Sequence, residues 1–298
     1  TNLRDTLFFF FFFQGANSSK SPFEVNFYHT TEKDENSFFG IRKSTIPLGA
    51  DIWTINPNDI NNQKITYSPK SNEIVLNSVS ASSGNQTLSA FGKYLNRNSF
   101  DLKLDIKNVL LENILPTIPT FGIAGQMDIN TNISRSSIKN QLNIETSVKE
   151  LNINNQYLGD LRFAATGNTR LNTYIANLSL IEGKKIKLQA KGLWQGLVDS
   201  SLNFNLDLDD LDIAFLSPLG KKSLNNIHGI IGGSITVLGT LNDIKHNGNL
   251  SLVNGGFSIP FLNLNYNIES TNVTLNDKSF IFNSSKLRDN AEGTYALM

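Results

Sequence analysis

The sequence contains no cysteine. That excludes disulfides, thiolate metal sites and a cysteine nucleophile, and it leaves the compartment open. Neither sign of charge is in excess, because 26 Lys and Arg balance 26 Asp and Glu, with three His besides. A nucleic-acid surface needs a concentrated basic face, and with no Lys/Arg-rich run present, nucleic acid is set aside as a partner. Long hydrophobic runs are lacking too, since none reaches the length of a membrane-spanning helix. The nearest is Leu7 followed by Phe8 to Phe13. Six consecutive phenylalanines have no period and place rings on both faces of a strand, which reads as a fully buried strand or an aggregation hazard. The chain opens on Thr1 and ends on Met298 without a basic leader. It reads as a piece of something longer, with any signal or anchor outside it.

Helix signals are also scarce. Val109 to Leu115, stopped by Pro116, and Leu211 to Leu216, stopped by Pro218, can each make a turn or two. What the 298 residues offer instead is a period of two. Phe100, Leu102, Leu104 and Ile106 alternate with Asp101, Lys103 and Asp105. Leu202, Phe204, Leu206 and Leu208 alternate with Asn203, Asn205 and Asp207, and Leu262, Leu264, Tyr266 and Ile268 with Asn263, Asn265 and Asn267. Such alternation predicts strands with one apolar and one solvated face, as in antiparallel sheet.

The pattern breaks at definite places. Leu250 and Leu252 stand on even numbers, Phe257 and Ile259 on odd ones, and Leu262 onward on even ones again. A one-residue slip turns a strand over, so each switch needs a turn or a bulge. Asn254-Gly255-Gly256 supplies the first, because Asn and Gly accept positive φ. Pro260 supplies the second, because proline cannot donate to a ladder.

The chain repeats itself. LSAFGKYLNRNSFDLKLDIKNVLLENILP (88–116) resembles LQAKGLWQGLVDSSLNFNLDLDDLDIAFLSP (188–218), with Ala90 and Gly92 aligned on Ala190 and Gly192. A strand opening on glycine follows in each copy, from Gly125 and from Gly233. A partial third copy closes the chain, where FIFNSSKLRDNAEGTYAL echoes the stretch from Ile74. A unit of about a hundred residues predicts an elongated, repetitive sheet. The segments are 1–37 with the phenylalanine run, 38–120, 121–218 and 219–298, joined as continuous sheet.

A one-sided amphipathic sheet needs something over its apolar face. With helices nearly absent, it packs on a second sheet, closes into a barrel, or stays open around an apolar ligand. An open face exceeds the few hundred Å² of apolar patch usual on soluble monomers, so it is tolerable only when occupied. A strand of seven to nine residues spans about 25–30 Å at about 3.3 Å per residue, enough to shelter a lipid acyl chain.

Residues 225–283 carry a resemblance. Gly233, Gly239-Thr240-Leu241-Asn242-Asp243, Gly248-Asn249-Leu250-Ser251-Leu252, Asn254-Gly255-Gly256 and Ile259-Pro260 precede a strand pair ending in Phe280-Ile281-Phe282. This arrangement resembles the C-terminal part of the TamB-like translocation and assembly module proteins, within the AsmA-like group. Leu264-Asn265-Tyr266 after the Ile-Pro strand is similar to the Bacteroidetes-type branch. Ile244 departs from the pattern, since many members have proline there. Residues 38–120 fit the same style less specifically.

The resemblance implies a mostly β protein: a long, curved antiparallel sheet folded into an open groove (a β-taco), with one or two short helices. The groove would shield lipid acyl chains. It also implies a periplasmic location, an inner-membrane anchor outside this segment, phospholipid as cargo and an outer-membrane barrel-assembly protein of the TamA type as partner. The roles would be phospholipid transport to the outer membrane and outer-membrane protein assembly. The expected groove-lining residues are Leu102, Leu104, Ile106, Leu202, Phe204, Leu206, Leu208, Leu250, Leu252, Leu262, Leu264 and Tyr266. The rivals are a structural β-solenoid or sandwich adhesin, and a polysaccharide-processing β-helix enzyme. The solenoid predicts a shorter period than the one observed. The enzyme needs clustered acids, which are not evident.

Other motifs carry less. GIIGG (229–233) lacks the helix that a phosphate-cradling loop needs, so it reads as a strand-start glycine cluster. Asp207, Asp209, Asp210 and Asp212 could suggest calcium. Solvation of a strand face and acids at the start of a short helix account for them more simply. His29, His228 and His246 read as surface polar residues. No catalytic constellation, metal site or cofactor motif is expected.

Overall fold

The structure, a computed structural model, describes residues 6–13, 23–31, 36–60, 63–115, 121–196, 200–220, 223–240, 242–277, 279–283, 286–289 and 295–297. The chain is mostly β, and its strands belong to one antiparallel sheet. Two compact units are distinguished. Unit 1 comprises 1–116, 126–147 and 166–171, and unit 2 comprises 117–125, 148–165 and 172–298.

Unit 1 begins with β1 (Thr6–Phe13), β2 (Phe23–Thr31), β3 (Ser37–Ile41), β4 (Ser44–Leu48) and β5 (Asp51–Ile55). It continues with β6 (Lys64–Ser68), β7 (Glu73–Ser83), β8 (Gln86–Asn96), β9 (Ser99–Leu110) and the one-turn helix α1 (Leu111–Ile114). Most of β10 (Ile123–Arg135) also belongs to it, while β11 (Asn140–Ile153) and β12 (Gln156–Asn168) contribute to both units. The phenylalanine run is a strand paired with β2, as its β propensity suggests. Of the two readings of this run, full burial does not hold for the residues whose side chains are described. Leu7, Phe8, Phe10 and Phe11 are exposed, and Phe9 stacks on Phe27 at 4.9 Å.

Between β2 and β7 the sheet forks. One branch runs β2–β3–β6–β7 and the other β2–β4–β5–β7. Ladders cannot continue through a fork, so side chains satisfy the backbone there. Asn56, fully buried, donates through Nδ2 to the carbonyls of Ile41 and Ile60 and accepts from Ile60 N. Buried Ser44 accepts from Asn26 N, and Gln63 accepts from Ser80 N.

Unit 2 is built from β13 (Thr173–Glu182), β14 (Lys185–Gln195), β15 (Ser201–Asp212), β16 (Asn225–Thr240), β17 (Asp243–Ile259), β18 (Leu264–Asp277), β19 (Ser279–Asn283), β20 (Lys286–Asp289) and β21 (Tyr295–Leu297). Strands β13 to β19 pair consecutively and antiparallel. The expected helix at 211–216 is instead the end of β15 followed by a 3-10 turn, Ala214–Gly220, which runs through Pro218. A 3-10 turn tolerates proline because it has no i to i−4 ladder for the ring to break. The second switch occurs where Pro260 opens a 3-10 turn that ends at Asn263 with φ 52°.

One device recurs in both units. At β7, β9 and β15 the ladder makes a step of three residues against two on the neighbouring strand: Leu76 to Val79, Ile106 to Val109, and Leu208 to Leu211. Each is a β-bulge, and the extra residue keeps both apolar side chains on one face. In the steps of β9 and β15, Asn108 and Asp210 take the left-handed conformation, at φ 57° and 50°. On β17, Asn254 at φ 50° lies within the step of Val253 to Gly256 against Ile230 and His228 of β16, where the parity switch predicts a slip. Nine asparagines, three aspartates and one glutamate supply the non-glycine positive φ angles among the described residues. Their short side chains make that region accessible.

Candidate functional site

The registers of unit 2 decide which side chains share a face. Leu188, Ala190, Gly192 and Trp194 of β14 lie opposite Leu208, Leu206, Phe204 and Leu202 of β15. Those four lie opposite Gly233, Ile235, Val237 and Gly239 of β16, which face Leu250, Gly248, His246 and Ile244 of β17. Val273 and Leu275 of β18 extend the row to Phe282 and Phe280 of β19. Cross-strand partners point the same way, so this is one apolar face spanning six strands. Its residues on β15 are half-buried, whereas Asn203, Asn205 and Asp207 between them are exposed.

Glycines make the face fit. A Cβ on Gly192 would come within 2.4 Å of the Phe204 ring and of Asn203 O. Gly92 stands opposite Leu102 in the same way, and a Cβ on it would come within 2.8 Å of the Leu102 Cδ2. Each glycine leaves the space into which its large partner lies. The opposite face carries side-chain ladders: Thr236 Oγ1 donates to Asn205 Oδ1 at 3.0 Å and Thr274 Oγ1 to Asn249 Oδ1 at 3.1 Å.

The expected lining residues distribute as follows. Leu202, Phe204, Leu206, Leu208, Leu250 and Leu252 share the face just described. Leu252 is also part of a buried cluster with Ile268 and Leu287, against which Ile213, Phe257 and Tyr266 pack. Tyr266 thus packs on this buried cluster rather than in the half-buried row of β15. Leu264, half-buried, pairs with Ile259 beside it. Leu262 falls outside the ladder. It sits in the 3-10 turn and is 51% exposed, because Pro260 delays the strand to Leu264. In unit 1, Leu102, Leu104 and Ile106 stand opposite Gly92, Ala90 and Leu88, on one face with Ile129 and Ile133 of β10.

The polar candidates resolve into structural roles. Asp209 and Asp210 form the β15 bulge rather than a helix start, with Lys185 Nζ 3.4 Å from Asp209 and bonded to Asp210. The hydrogen bond from Lys185 holds the Asp210 carboxyl below the usual carboxylate range, and the same bond raises the Lys185 ammonium above its own. Asp212 accepts from Ala214 N at 2.9 Å and so caps the turn that follows.

The histidines are not simply surface residues. His29 lies against Phe39 at 4.6 Å, and His246 is half-buried on the apolar face, its ring 5.1 Å from Phe280. Sequence reasoning missed His246 because its parity signal sits beside Gly248, which shows no side chain. No group of acids and histidines suited to a metal occurs among the described residues, and no helix among them is long and apolar enough to cross a membrane. No protein-family model, no curated protein and no solved structure matches this chain.

Proposed function

We propose that the chain is a non-enzymatic segment that shields lipid acyl chains on the apolar face of its sheet, within a periplasmic bridge. It would serve phospholipid transport to the outer membrane and outer-membrane protein assembly. The observation that carries this reading is the row Leu202–Phe204–Leu206–Leu208 with its neighbours on β14, β16 and β17, half-buried in the middle of the strands. A sheet face of this extent gains free energy when hydrocarbon displaces water from it, at roughly 25 cal/mol per Å². The resemblance of residues 225–283 to the TamB-like proteins supplies the partners: phospholipid, a TamA-type barrel protein, and an inner-membrane anchor outside this segment.

The test is a photo-crosslinking residue at Phe204 and, separately, at Asn205, in cells. Phospholipid adducts at Phe204 and none at Asn205 are expected. A folded, expressed protein without adducts at Phe204 would return the face to a protein core and favour the structural adhesin.

A further inference from the structure

In unit 1 the apolar face does not stay open along its whole length. The β4–β5 hairpin pairs with β7 only at Thr54–Ser82 and Ile55–Ala81. Beyond that point its side chains share one cavity with those of the neighbouring strands. Trp53 and Ile55 line it with Ala81 of β7, Leu88 of β8, Ile106 of β9 and Met127 of β10, and Ile114 of α1 adds to the wall. The cavity measures about 280 Å³, and every residue around it is apolar. At about 30 Å³ per water-sized group, it holds a hydrocarbon segment of roughly nine carbons.

A second, polar pocket of about 490 Å³ adjoins it. Asp51 lies two residues before Trp53, Ser83 two after Ala81, and Gln86 two before Leu88, so these three continue the cavity's face along their strands, while Leu110 and Gln126 reach the pocket from the positions next to Val109 and Met127. The boundary between the two is hydrogen-bonded in place. Asp51 Oδ2 accepts from Gln86 Nε2 at 2.7 Å and from Asn113 Nδ2 at 3.0 Å. Gln86 Oε1 accepts from Leu110 N, and Ala50 N donates to Asn113 O at 2.9 Å.

We propose that this paired site binds one single-chain amphiphile with an uncharged, hydroxyl-bearing head, of the monoacylglycerol kind. The chain occupies the apolar cavity and the head the polar pocket. The head is a hydroxyl-bearing group rather than an anion because that pocket is walled by the Asp51 carboxylate and by the amides of Gln86, Asn108 and Gln126, with neither Lys nor Arg in its lining. A fatty-acid carboxylate placed there would face Asp51 without a counter-charge. The proposal rests on the reading that the sheet faces of this protein accept hydrocarbon.

The experiment uses the full chain with Trp194→Phe, which leaves Trp53 as the sole indole. It is titrated with monododecanoylglycerol below its aggregation concentration, and with dodecanoate in parallel. A saturable change in Trp53 emission is expected, at least about tenfold tighter for the glycerol ester than for the anion. Affinity should rise about fourfold per methylene from six carbons and level off near nine. Ala81→Phe, which fills the cavity, should abolish the response. If that variant does not fold, the chain-length series decides alone. No saturable response, equal affinity for dodecanoate, or an affinity indifferent to chain length overturns the site. Phospholipid adducts at Phe204 together with a silent Trp53 would sink this site and leave the groove standing. A saturable Trp53 response without those adducts would do the reverse.

Discussion

Leu208 and Leu211 occupy the same strand and the same face, yet they live in different surroundings. Leu208 belongs to the half-buried row in the middle of β15, whereas Leu211, beyond the Asp209–Asp210 bulge, is 9% exposed and sits beside Ile231 and the turn that follows. Unit 1 draws the same contrast on β9. Leu102 is 40% exposed, and Val109, past the bulge at Asn108, is 3% exposed. In both units the bulge separates a stretch of strand that the protein covers from one that it leaves partly exposed. Similar residues in a similar pattern thus lie buried on one side of the bulge and half-exposed on the other.

Breaking the covered side should have the largest effect. Leu211→Ala is expected to cost about 2–4 kcal/mol, read by denaturation of unit 2 followed at Trp194, while Phe204→Ser should cost less than about 1 kcal/mol and remove lipid crosslinking at neighbouring positions. Equal costs would erase the distinction between covered and open stretches. Next comes the space that Gly192 leaves for Phe204. Gly192→Ala should destabilise by about 1–3 kcal/mol, because the new methyl meets backbone as well as ring. The paired change Gly192→Ala with Phe204→Ala should recover part of the loss but not all of it.

The bulge itself is probed at Asn254. A β-branched side chain at its positive φ is unfavourable, so Asn254→Val should cost about 1–2 kcal/mol and Asn254→Gly only a few tenths. The smallest effect is electrostatic. Lys185→Ala should let the Asp210 carboxyl return upward to the ordinary carboxylate range, measurable by carbon NMR titration. Asp210 has a depressed folded pKa, so its contribution is present above the unfolded carboxylate range and is lost as pH falls through the folded value. Lys185 has a raised pKa, so its share is present below the unfolded lysine range and is lost as pH rises through the folded value. Both groups are solvent-exposed, so global stability should hardly change.

Much of this fold is visible in the residues. The alternation at 100–106 and 202–208 is the face that the registers assemble. The parity switch at Asn254 and the break at Pro260 fall where positive φ and a missing N–H demand them. The repeat 88–116 on 188–218 is a repeat of structure too, with Gly92 and Gly192 opposite Leu102 and Phe204, and with the bulges at Asn108 and Asp210 in step. The bulges of β9 and β15 were not legible as bulges. Lys107-Asn108 and Asp209-Asp210 look like any solvated pair, and an apolar spacing of three also suits the first turn of a helix. The fork at Ser44, Asn56 and Gln63 was hidden for another reason. It depends on pairings between segments far apart in the chain, and its residues look like ordinary loop polars until their burial is known.

The three-residue step has a consequence for insertions and deletions. In a strand that alternates strictly, losing one residue turns everything beyond it over, apolar side chains outward and polar ones inward. The steps at Ile106–Val109 and Leu208–Leu211 set three residues against two on the partner strand. Removing Asn108 or Asp210 therefore leaves a regular two-against-two ladder, with Val109 or Leu211 still on its own face. These are positions where a one-residue deletion preserves parity, and the same loss at Asp105 or Asp207 does not.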